Sequence, residues 1–173
     1  MGSAVVVCVE LIVCCLFFPP LVLQTVGVFT AHWVSNSTCD SIGLMYRCCA
    51  GQDNQTCEST HGELDACVLG FEMTSFVMML AAEVLAIFGV WFECQDDEDE
   101  ESRCAKLING SCLLFACAGI LSLAGCMMIM NNFPTSQLGW SFYLCLVNGC
   151  FVILILVLVL AYCITERTCP IKC

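Results

Sequence analysis

Positive charge is scarce in this chain, with five lysines and arginines among 173 residues. A surface that follows a phosphate backbone needs clustered Lys and Arg, so nucleic acid is excluded as a partner. Charged residues of both signs make up 12% of the sequence and hydrophobic ones 60%, well beyond the apolar share of a soluble domain. The expected solvent is therefore a lipid bilayer, and the length suits one domain. Chemistry-bearing patterns are missing too. Between Ala31 and Ala66 there is no Cys-x-x-Cys or His-x-x-x-His, so His61, Glu58, Glu63 and Asp65 lack the spacing of a zinc site. The acidic run Asp96 to Glu101 lacks the Asp-x-Asp-x-Asp-Gly of a calcium loop and is expected to be a solvated cytoplasmic loop, the alternative being a weak contact with calcium or a basic partner by charge attraction alone. His32 beside Trp33 suits an interfacial anchor better than a catalytic base. No enzyme, cofactor, metal or small-molecule substrate is expected.

What the sequence has is long apolar runs. The first extends from Ala4 to Phe29, the second from Cys67 to Phe92, the third from Leu107 to Met130 and the fourth from Leu138 to Ile164, each long enough to cross a hydrocarbon core of about 30 Å. Two of the four prolines are adjacent, at Pro19-Pro20, and predict a kink or break in span one, with Gln24 and Thr25 near its outer boundary. No basic n-region or small-x-small cleavage site marks span one as a signal peptide, so it is expected to stay. Arg103 and Lys106 lie between spans two and three, and Arg167 and Lys172 follow span four, while the outer segments carry only Arg47. The positive-inside rule then places both termini in the cytoplasm, with outer loops over residues 30–66 and 131–137 and a cytoplasmic loop over 93–106. Glu10 and Glu83 fall inside spans, at similar depth in the cytoplasmic half, and are expected to be largely protonated or to share a proton. Ala118, Ser122 and Gly125 form a strip of small residues on span three, which suits close helix packing.

The first outer segment is polar and rich in cysteine. Asn36 and Asn54 each begin an Asn-x-Ser/Thr acceptor, usable only on a lumenal or extracellular face, the same face on which disulfides persist. Five cysteines, Cys39, Cys48, Cys49, Cys57 and Cys67, lie in or beside it, so at least one is left over from pairing within the segment. On the other side of the membrane, Cys94, Cys104, Cys163 and Cys169 lie near span ends and are candidate acylation sites.

Trp33, then Gly43-Leu44-Met45 with Cys48, then Cys57, resembles the Trp, Gly-Leu-Trp-x-x-Cys and Cys pattern in the first extracellular loop of the claudin superfamily. That group includes claudins, peripheral myelin and epithelial membrane proteins and calcium-channel gamma subunits. The stretch from Asp96 to Lys106 ahead of Gly110, Phe115 and Ala118 to Leu121 resembles the family's approach to span three, and Gly139 to Tyr143 its approach to span four. Met45 stands where the family has tryptophan, Val68 or a neighbour where claudins commonly have arginine, and the second outer loop is short. The resemblance implies an all-α membrane protein, a four-transmembrane-helix bundle carrying a small antiparallel β-sheet from the first loop, with Cys48 and Cys57 as its disulfide. Cys39, Cys49 and Cys67 are then left for a second bridge, a free thiol or an intermolecular link.

Two functions follow as expectations. One is a plasma-membrane protein of cell junctions, associating with itself in adhesion or paracellular permeability. The other is an accessory subunit bound to a channel or another membrane protein, which the short second loop favours. In the junctional case the resemblance nominates Asp53 and Glu58 as pore-lining. Asp40, Asp53, Glu58, Glu63 and Asp65 against Arg47 give the first outer loop a net charge of about -4, which would prefer cations.

Overall fold

The computed structural model describes residues 18–35, 39, 41–50, 55–59, 64, 66–93 and 101–168. Within these, four helices follow the apolar runs: α1 (Phe18–Phe29), α2 (Ala66–Glu93), α3 (Glu101–Asn132) and α4 (Trp140–Thr168). Three of them contain segments long and apolar enough to cross a membrane, Ala66–Gly89, Asn109–Asn132 and Trp140–Leu158. Pro19 and Pro20 lie in the first described turn of α1, and the kink expected there concerns residues outside the described ones, as does Glu10.

Two boundaries differ from the sequence expectation. Helix α3 begins at Glu101 rather than Leu107, so the end of the expected cytoplasmic loop is helical; an acid at a helix start is favoured by the macrodipole. Helix α4 begins at Trp140 rather than Leu138. Leu138 is instead used as a β-bridge partner of Val34, and Gly139 donates its N–H to Trp33 O at 2.8 Å. A side chain at Gly139 would strike the backbone of His32, so the two segments can approach only because no Cβ intervenes.

Packing inside the bundle follows the small residues. Ala118 and Ser122 are fully buried and Gly125 is buried with them. Gly119 brings α3 against Val152 of α4, where even one Cβ would meet the valine Cγ1 at 2.5 Å. Around this strip are two apolar clusters. Val28, Trp33, Val34, Leu44, Val68, Cys126, Ile129, Phe142 and Cys145 form the one nearer the sheet, and Met79, Ala82, Phe115, Ala118 and Val152 the other. Outward-facing Val77, Val84, Ile87, Leu113, Ile120, Leu154 and Leu158 are exposed, the reverse of a water-soluble bundle.

The segment between α1 and α2 makes an antiparallel sheet of β1 (Ser41–Ile42), β2 (Tyr46–Ala50) and β3 (Gln55–Ser59), in that order. Ser41 faces Cys48, and along the second pair Arg47 faces Glu58 and Cys48 faces Cys57. Gly43 makes the tight connection, donating its N–H to Tyr46 O at 2.7 Å. It also lies so near the end of α1 that a Cβ would come 2.5 Å from Ala31 Cα.

Candidate functional site: the outer sheet and the polar centre beneath it

Trp33 joins the sheet to the helices. Its ring is fully buried and packs edge-on to Phe142 of α4, with centroids 6.0 Å apart. Its indole Nε1 donates to Gly27 O at 2.7 Å, a carbonyl in the last turn of α1 that has lost its helical partner. Beside it, Val34 forms bridges with both Ile42 and Leu138. The short extended segment is thus a strand between β1 and the residues leading into α4. Ser35 adds an N–H to Gln137 O at 2.8 Å and Ser141 an N–H to His32 O at 3.1 Å. Thr30 and Ser141 share a hydroxyl contact of 2.6 Å. The segment expected as the second outer loop, residues 131–137, is taken up by the end of α3, a 3-10 turn at Thr135–Gln137 and the run into this bridge.

The motif residues come together. Leu44 and Cys48 are buried, and Leu44 shares a cluster with Trp33. Met45, at the family's tryptophan position, packs against that cluster, and Val68 is a fully buried member of it. Cys48 is bonded to Cys57, and Cys39 to Cys49; of the possibilities left open by the sequence, the second bridge therefore takes Cys39 and Cys49, and Cys67 lies in the first turn of α2. Glu58 is exposed on β3, across the strand pair from Arg47, so its charge has a cation as its nearest cross-strand neighbour. Asn36, Asp53, Asn54, Cys94 and Cys169 lie outside the described residues. Cys104 and Cys163 fall within α3 and α4. Glu83 is partly buried in α2.

Beneath the sheet is a polar centre that sequence reasoning missed. Glu72 of α2 is fully buried. Its Oε2 accepts from Gln24 Nε2 of α1 at 2.7 Å and from Ser122 Oγ of α3 at 3.1 Å, and its Oε1 receives the Cys126 thiol at 3.8 Å. Asn148 of α4 donates Nδ2 to Gln24 Oε1 at 2.7 Å. Every helix contributes, α3 with both Ser122 and Cys126, and the donors run in one direction, from Asn148 through Gln24 to the carboxylate. Gly125 makes room, since a Cβ there would sit 2.7 Å from Glu72 Oε1. At about 1.5 Å of rise per residue, Glu72, Asn148 and Ser122 lie roughly 9 to 15 Å from the sheet ends of their helices. Gln24, expected at the outer boundary, is fully buried in this centre. The signal was present in the sequence: Glu72 and Asn148 interrupt apolar runs, and such residues in a membrane span face the bundle interior and one another.

No protein-family model and no curated protein matches this chain. Geometry and chemistry therefore carry the functional reading. Among the described residues no group of three or more His, Cys, Asp or Glu side chains is arranged to hold a metal ion. The polar centre satisfies its carboxylate across four helices, and the sheet is the part of the molecule that presents polar strands outward.

Proposed function

We propose that the chain is a claudin-like, four-span plasma-membrane protein with both termini cytoplasmic, whose outer sheet acts at cell contacts in adhesion or paracellular permeability. The observation that supports this best is the double bridging of Val34 to Ile42 and Leu138, together with Trp33 buried between α1 and α4. A sheet attached only through its chain ends would be a flexible appendage. Held this way, it is tied to the bundle by backbone pairing, which lowers the ordering cost of association between neighbouring molecules. On this reading the three spanning-length helices make three crossings and the run from Ala4 to Phe29, of which α1 is the described part, the fourth.

A second reading, an accessory subunit of a channel or other membrane protein, draws on a separate observation. Residues 133–139 are taken up in the 3-10 turn and the bridge to Val34, which leaves no second loop to reach an opposing cell.

Expression in an epithelial monolayer of low background permeability separates the two. On the junctional reading, sodium-to-chloride dilution potentials shift toward cation preference, and Asp53→Asn with Glu58→Gln lowers that preference. An unchanged ratio, in protein shown by microscopy to reach lateral contacts, removes the pore reading and puts the accessory-subunit reading ahead.

A further inference from the structure

The two disulfides occupy opposite faces of β2, because consecutive side chains alternate along a strand. Cys49 shares its face with Arg47, two residues away. The Arg47 Nε lies 3.1 Å from Cys39 Sγ and 3.0 Å from Cys49 Sγ, donating toward both atoms of one bridge. Cys48 and Cys57 face the other way. We infer that Cys39–Cys49 is a redox-labile bridge, opened by an extracellular dithiol reductant under conditions in which Cys48–Cys57 stays closed.

The chemistry is thiol–disulfide exchange. A thiolate of the reductant attacks Cys49 Sγ, the more accessible atom of the pair, since Cys39 is buried and Cys49 partly exposed. A sulfur–sulfur bond forms to the reductant as the Cys39–Cys49 bond breaks, and the electron pair leaves on Cys39 Sγ beside the Arg47 N–H. The reductant's second thiolate then attacks the mixed disulfide, expelling Cys49 as thiolate and closing the reductant's own disulfide. Two electrons have moved, and the cysteines take up protons from water as their basicity dictates. A cation beside the leaving sulfur both speeds its departure and stabilises the reduced pair.

Loop size does not separate the bridges. They span 10 and 9 residues, and closure entropy changes only with the logarithm of length. Accessibility favours the opposite order, because Cys57 is exposed. Glu58 opposite Arg47 offsets some of the positive field, but its exposed carboxylate is screened by water, whereas the guanidinium is in direct contact with the sulfurs. Opening this bridge would not dissolve the sheet. Ile42 keeps its backbone bonds to Val34, and β2 and β3 keep Cys48–Cys57. The change is confined to the tie between Cys39 and β2, on the approach to β1.

The test is an equilibrium titration of the intact protein in detergent micelles with mixtures of reduced and oxidised dithiothreitol, followed by alkylation and peptide mapping. Cys39 and Cys49 should become alkylated at a dithiol-to-disulfide ratio about tenfold below that for Cys48 and Cys57, a gap of roughly 30 mV. Arg47→Gln should close most of the gap, while Arg47→Lys, which keeps the charge, should preserve the order. If Cys48 and Cys57 open first or together with the other pair in the wild-type protein, the inference is wrong, and that outcome needs no variant to fold. A gap unchanged in folded Arg47→Gln overturns it equally.

Discussion

With no cation beside it among the described residues, the Glu72 carboxyl is satisfied by dipoles, directly from Gln24 of α1 and from Ser122 and Cys126 of α3, and through Gln24 from Asn148 of α4. Gln24 is the middle of the chain of donors, accepting from Asn148 and donating to Glu72. Losing it leaves both neighbours short of a partner, and an unsatisfied buried group costs about 1–3 kcal/mol. Because Gln24 and Asn148 touch, their substitutions should not add. In a double-mutant cycle of Gln24→Leu and Asn148→Leu, read by chemical or thermal unfolding in detergent, the expected coupling is roughly 0.6 to 1.7 kcal/mol, the range found for hydrogen bonds between membrane helices. Strict additivity would mean that the chain of donors contributes nothing as a unit. Asn148 Oδ1, buried and without a partner among the described residues, adds to the cost of the arrangement, which places that cost at the head of the chain rather than at the carboxylate.

Among the elements, the segment from Thr30 to Ser35 has the most consequence for its length. It ends α1, places Trp33 in the bundle, and lends Val34 as a strand between β1 and the start of α4. Trp33→Ala removes a fully buried indole and is expected to cost about 3–5 kcal/mol, enough to keep the protein from the cell surface. Trp33→Phe keeps most of the packing against Phe142 and Leu44 and forfeits chiefly the bond to Gly27 O, worth about 1 kcal/mol. Surface biotinylation together with a melting curve in detergent checks the ranking. Equal loss in both variants would show that the hydrogen bond, and not the ring's burial, couples sheet to helices.

For the molecule as a whole, the distribution of positive charge predicts the orientation. Arg103, Lys106, Arg167 and Lys172 against Arg47 alone should keep the sheet outside and both ends within the cytoplasm. Epitope tags at either terminus should be reached by antibody only after permeabilisation, and a tag exposed on intact cells would reverse the reading of the four crossings. That orientation would put the cysteines of the sheet in an oxidising compartment, where pairs such as Cys39–Cys49 and Cys48–Cys57 persist.

Composition and run length alone were enough to locate the apolar helices, because a segment in lipid must satisfy its backbone internally and so announces itself by length and hydropathy. The strip of Ala118, Ser122 and Gly125 was legible for a similar reason, since small residues are the means by which helices approach. The partners were not legible. Nothing local says that Gln24, six residues inside α1, meets an Asn 124 positions later, or that Leu138, apolar and next to a helix, leaves it to bridge Val34. Cys39 could have bonded to any of several thiols until the register of β1 on β2 brought it to Cys49. Hydropathy belongs to single residues and survives in any arrangement, whereas a hydrogen bond or a disulfide depends on two positions that only the packed chain brings together.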